Sequence, residues 1–180
     1  MIPPHNLKRV TLFGAESTGK TTLARELARH FNTVVAPEYG RLYTQIHGVG
    51  ATSADDMMQI AKGHIAGVAE AAKHASRVLI EDTDPVLTAI WSDMLAGRRD
   101  PWFDAYVDYP DLYLLCDIDL PWVKDDVRYF SNPDDRRKFH LACERELLFR
   151  GVNFVRISGP PELRRARAIE AAEALLSTDR

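Results

Sequence analysis

Gly14-Ala15-Glu16-Ser17-Thr18-Gly19-Lys20-Thr21 satisfies the pattern G-x-x-x-x-G-K-[ST] at every fixed position, and its flanks narrow the architecture further. Lys8-Arg9-Val10-Thr11-Leu12-Phe13 reads as a short buried strand before it, and Leu23, Ala24, Leu27, Ala28 and Phe31 recur at helical spacing after it. A glycine-rich turn between strand and helix aims backbone N–H groups and a helix N-terminus at an anionic phosphate chain. The spacing predicts that Gly14, Glu16, Ser17, Thr18, Gly19 and Thr22 lie along a bound triphosphate. Lys20 then reaches the β- and γ-phosphates, and Thr21 offers its hydroxyl to Mg²⁺.

The rest of the chain alternates in the way such a loop requires. Thr33–Ala36 reads as a second strand stopped by Pro37, Arg77–Glu81 as a third, Asp111–Cys116 as a fourth and Asn153–Ile157 as a fifth. Between the second and third strands, residues 53–75 read as a helix with Ser53 at its N-cap and Asp55 and Asp56 in its first turn. Met57, Ala61, Ile65, Val68 and Ala72 form its apolar stripe, read as core. Strands separated by helices imply crossover connections and a parallel sheet. The expected fold is a three-layer α/β domain of the P-loop NTPase type, with a five-stranded parallel sheet and helices on both faces. Two stretches, about 97–110 and 121–137, read as irregular, and the charged segment at about 124–137 reads as a lid. With 180 residues and no repeat or linker, a single domain is expected.

Composition excludes several partners. A formal net charge of −3 offers no general basic face for nucleic acid or a membrane surface. No run of about 18 apolar residues suits a membrane span. Cys116 and Cys143 are far apart and form no C-x-x-C pair, so two structural thiols in a reducing cytoplasm are expected. The six histidines show no metal-ligand spacing, and no zinc is expected.

Acidic groups at the ends of strands beside the phosphate loop are the candidates for metal binding and proton transfer. Asp82, ending the third strand, is placed to hold Mg²⁺ through water. Glu38, after the second strand, and Asp84, two residues beyond Asp82, are candidates for the base that takes a proton from an attacking hydroxyl. Spacing leaves the choice among these acids open. Positive charge over the γ-phosphate would come from Arg128, Arg136 and Arg137 in the lid. Ser158-Gly159-Pro160-Pro161, after the last strand, is a turn of the kind that approaches adenine, with Pro161 near the start of a final helix.

On these residues the chain resembles the ribosylnicotinamide kinase domain of the NadR-type NAD biosynthesis and regulation proteins. The resemblance spans nearly the whole length. It is carried by the phosphate loop, by Glu38-Tyr39-Gly40-Arg41, by Asp82-Thr83-Asp84, and by Trp122-Val123 followed by Asp125, Arg128, Arg136 and Phe139. Lys124 stands where the family pattern has an acid. The resemblance implies ATP on Gly19, Lys20 and Thr21, metal near Thr21 and Asp82, and a small-molecule nucleoside near Glu38, Tyr39, Arg41, Asp84 and Trp122. A planar Trp122 would stack on a cationic nicotinamide ring. With no second nucleotide motif, the reaction is expected to stop at the mononucleotide. Two other readings stay open: a kinase of another nucleoside or a nucleotide, and a nucleotide-dependent regulatory ATPase. Thr83 and Asp84 stand where nucleotide kinases often carry an arginine, which favours an unphosphorylated acceptor.

Overall fold

A computed structural model describes residues 7–123, 129 and 132–177. Five strands, β1 (Lys8–Phe13), β2 (Val35–Ala36), β3 (Val78–Asp82), β4 (Leu112–Cys116) and β5 (Phe154–Ile157), form one all-parallel sheet in the order β2-β3-β1-β4-β5. Among the described residues, seven helices accompany them: α1 (Lys20–Phe31), α2 (Tyr39–His47), α3 (Ala54–Ala72), α4 (Pro85–Ala96), α5 (Pro101–Ala105), α6 (Pro133–Arg150) and α7 (Pro161–Ser177).

Strand alternation sorts the core onto two faces. Val10, Leu12, Leu112, Leu114 and Cys116 pack with Leu23 and Leu27 of α1 and Ala168 and Ala172 of α7. The intervening Phe13, Tyr113 and Leu115 pack with Val86 and Ile90 of α4 and Phe139, Cys143 and Leu147 of α6. Met57, Ile60 and Ala61 of α3 meet Ala89 of α4 and Phe103 of α5 in a third cluster. The methionine stripe is thus partly core, as its spacing predicts. Both cysteines are buried free thiols, and burial pushes Cys116 up to about 11 and raises Cys143 as well.

The local chemistry explains the boundaries. Ser53 closes a capping box on α3, its hydroxyl accepting the Asp56 N–H while Asp56 accepts the Ser53 N–H. Pro85, Pro101, Pro133 and Pro161 each stand at the first position of a helix, where a missing N–H costs nothing. Pro133 also corrects the expected irregular segment. The chain is helical from there on, capped by Asn132, so Arg136 and Arg137 project from α6. The short α5 likewise lies inside the stretch 97–110 that reads as irregular. The second strand is two residues long rather than four. Residues 124–128, 130 and 131, which include Arg128 and most of the expected lid, lie outside the described residues.

Two close approaches depend on glycine. A Cβ on Gly14 would stand 2.7 Å from the Cys116 carbonyl oxygen, and its φ of +127° suits only glycine. A Cβ on Gly63 of α3 would stand 2.2 Å from the ring of Tyr39, which lies flat against that helix.

Candidate active site

The register places Leu12 beside Asp82 and Phe13 beside Leu115, so the chain leaving β1 turns between the C-terminal ends of β3 and β4. Ligands of parallel sheets bind at this edge. The turn is held by donors on its own carbonyls. Lys20 Nζ donates to Gly14 O at 2.9 Å and Ala15 O at 2.8 Å, and Thr18 Oγ1 to Ala15 O at 2.8 Å. Arg136 donates to Glu16 O at 3.3 Å and Ser17 O at 3.1 Å, while Arg164 donates to Thr18 O at 3.1 Å. Five consecutive carbonyls are engaged in this way, which fixes the course of the loop. Gly19, in the left-handed region, caps α1 and starts the helix whose N-terminus completes an anion cradle.

The arginines therefore have duties that the sequence does not announce. Arg136 reads as a lid residue over the γ-phosphate. The structure buries it on α6, where it also donates to Leu120 O at 3.1 Å and braces the back of the loop. Arg164 of α7 escapes sequence reasoning altogether. It is buried, and it ties Thr18 to Gly159 O and Asp117 O, with an ion pair to Asp119. Ser158 sits in the same turn, accepting from Arg167 at 3.3 Å.

In front of the loop lies a cavity of about 180 Å³. Its wall combines a polar set, Glu16 to Thr22, Glu38, Arg41 and Thr83, with an apolar and aromatic set, Met57, Ile60, Leu87, Leu95, Trp91 and Tyr129, and with Thr44 and Thr88 as further polar groups. Trp91 and Tyr129 stand with ring centroids 5.7 Å apart, and Trp91 is backed by Phe139 at 4.3 Å.

Glu38 stands among the polar groups of this wall. It is the N-cap residue of α2, yet its side chain makes no capping bond. The side chain keeps 31 % exposure, 4.0 Å from Arg41 Nε. Burial raises its carboxyl above the ordinary range; Asp82 and Glu16 add to the rise, and Lys20 and Arg41 oppose it. These groups therefore form one electrostatic cluster around Glu38.

Asp84 is placed differently. It is 1 % exposed and lies off the cavity wall. Oδ1 accepts the Leu87 N–H at 3.0 Å as the N-cap of α4, and Oδ2 accepts the Tyr113 hydroxyl at 2.5 Å. Burial pushes its carboxyl up to about 7 despite those two bonds. With both oxygens engaged inside the fold, Asp84 supports the turn rather than facing the cavity. The turn itself is strained: Thr83 faces the cavity at φ +79°, uncommon for a β-branched residue, and its N–H is held by Leu12 O at 3.1 Å.

Two more expected acceptor contacts fall elsewhere. Tyr39 packs on Gly63, and Trp122 lies off the cavity wall, its indole N–H donating to Glu16 Oε1 at 3.4 Å. Trp91 and Tyr129 are the aromatic side chains that line the cavity among the described residues.

Asp82, the last residue of β3, is 2 % exposed and, like Asp84, lies off the cavity wall, and its Oδ1 has no hydrogen-bond partner among the described residues. A buried carboxylate oxygen left without a partner is suited to a metal-bound water. No group of three or more His, Cys, Asp or Glu among the described residues is arranged to hold an ion alone. Mg²⁺ rarely needs one, since it takes one or two protein ligands together with phosphates and water. Thr21 and Asp82 fit that role.

A phosphate cradle between β1 and α1 on a parallel sheet, with a buried acid ending the adjacent strand, defines a P-loop nucleoside-triphosphate-binding protein. A family model described as an AAA domain matches residues 9–164, and the chain belongs to that family. The trifunctional NAD biosynthesis/regulator protein NadR of Escherichia coli (strain K12) is 33 % identical over 185 residues, covering 99 % of this chain and 45 % of the relative. The crystal structure of NadR protein in complex with NR superposes with a TM-score of 0.79 at 24 % identity, over 96 % of this chain and 52 % of that one. A crystal structure of NadR with NAD and AMP-PNP gives 0.77 at 24 % identity, over 94 % and 50 %. The chain thus spans about half the length of these relatives. Among the described residues, no helix is long and apolar enough to cross a membrane.

Proposed function

We propose that the chain is a nucleoside kinase that transfers the γ-phosphoryl group of ATP to the 5′-hydroxyl of nicotinamide riboside, giving nicotinamide mononucleotide. The observation that carries this reading is the make-up of one cavity wall. The phosphate loop, the Glu38 carboxylate and the aromatic Trp91 and Tyr129 all line it. Descent shared with NadR and the NR and AMP-PNP complexes of its crystal structures support the choice of both substrates.

In this reading the loop amides and Lys20 bind the β- and γ-phosphates. Glu38 accepts the proton of the attacking hydroxyl, a step its raised affinity for protons favours. Thr21 and Asp82 would hold Mg²⁺, which when bound neutralises charge on the phosphoryl oxygens. Arg136 and Arg164 keep the cradle in shape. Trp91 and Tyr129 offer π-faces to the cationic pyridinium ring, and Glu16 and Glu38 bring negative charge to the same cavity.

Two expected results check the reading. Asp82→Asn will raise the Mg²⁺ concentration for half-maximal rate by about ten-fold or more, as loss of a water-holding carboxylate does; an unchanged magnesium titration contradicts the metal role. Trp91→Ala will lower kcat/KM for nicotinamide riboside about five- to thirty-fold, with ATP KM held within about two-fold, as removal of a cation–π face requires. Equal losses for both substrates would make Trp91 a packing residue.

A further inference from the structure

We propose that Glu16 is a positioning residue that links the phosphate loop to the acceptor compartment, acting through Tyr129. Its kinetic consequence rests on the nucleoside-acceptor reading; its structural consequence does not.

The third position of the phosphate-binding pattern is unconstrained, and an acid there is electrostatically unfavourable beside a triphosphate. Glu16 therefore needs another physical reason. Both of its carboxylate oxygens accept from the segment that follows β4. Oε2 accepts the Tyr129 backbone N–H at 3.0 Å, and Oε1 accepts the Trp122 indole N–H at 3.4 Å. The adjacent Ser17 Oγ accepts the Val123 N–H at 2.8 Å. At its other end, the Tyr129 hydroxyl donates to Val49 O at 3.0 Å, and Thr44 of α2 is a further hydrogen-bonding neighbour. Tyr129 thus bridges the phosphate loop and the end of α2, and its ring packs against Trp91 on the cavity wall, centroids 5.7 Å apart. A carboxylate–amide bond is charge-assisted and stronger than a neutral one. The group that fixes where the phosphates sit therefore also fixes where an aromatic wall of the acceptor compartment stands.

Amide hydrogen exchange on the full-length, ligand-free chain tests the link. In Glu16→Ala the Tyr129 amide will exchange about ten-fold faster or more, as expected for losing a charge-assisted bond. Glu16→Gln, which keeps an acceptor oxygen, will fall between the two. Unchanged exchange in both variants overturns the proposal. Kinetics then separates positioning from contact. Glu16→Ala will raise acceptor KM about ten-fold while ATP KM changes less than about two-fold. The same substitution in a Tyr129→Ala background will add nothing further. Effects that multiply in the double variant would show that Glu16 touches the acceptor directly, and an equal rise in ATP KM would assign it to the nucleotide; either overturns the link. A wild type that phosphorylates no nucleoside removes the acceptor reading and leaves exchange to decide the structural link.

Discussion

Lys20→Ala will lower phosphotransfer by about 10²–10³-fold while the protein keeps its fold, because the substitution removes a fixed positive charge from the place where charge develops. The ammonium already lies inside the loop, on the carbonyls of Gly14 and Ala15. It belongs to none of the three apolar clusters, so its removal opens no core cavity. Thr18, Arg136 and Arg164 still hold the loop carbonyls. Circular dichroism and the melting temperature will match wild type within a few degrees, whereas the rate will not. A variant with full activity contradicts the assignment of the loop.

Glu38→Gln carries the second large effect, a loss of about 10²–10⁴-fold in kcat, the span expected for a positioned general base. Its pH dependence follows from the direction of the shift. Burial holds the Glu38 carboxyl above the ordinary carboxylate range, and only the ionised form can accept a proton. Wild-type kcat/KM will therefore fall as pH drops through that raised value, giving an acid limb above the usual Glu titration. The limb will be absent from the residual activity of Glu38→Gln. A variant that retains both rate and acid limb would move the base to another group; Asp84, with its oxygens on Leu87 and Tyr113, is poorly placed for it.

What was legible in the sequence is what depends on local chemistry. The phosphate loop, the parallel strands, the Ser53 cap and Pro161 at the start of α7 all follow from residue types at fixed spacing. The place of Asp84 is half legible: an acid directly before proline is a helix-cap signature, and the same residue belongs to the Asp82-Thr83-Asp84 element that carries the resemblance. Trp91 was not legible, because α4 buries most of its residues and the indole reads as one more core side chain. Tyr129 lies in a charged stretch whose composition suggests a solvated lid. Its place on the cavity wall comes from tertiary bonds to Glu16 and Val49. Arg136 and Arg164 show the same limit in reverse. Arg136 reads as a lid cation over the γ-phosphate and Arg164 carries no signal at all, and only the folded chain shows both donating to loop carbonyls.

The acceptor compartment makes the central claim testable in one assay. Purified protein, ATP and Mg²⁺ are offered nicotinamide riboside, cytidine, uridine, adenosine, thymidine and nicotinamide mononucleotide, with product mass as readout and kcat/KM for each. A cationic ring set against aromatic side chains and carboxylates predicts the highest kcat/KM for nicotinamide riboside and a product heavier by one phosphoryl group. A higher kcat/KM for cytidine or thymidine, for the already phosphorylated mononucleotide, or ATP hydrolysis with no phosphorylated nucleoside would contradict it.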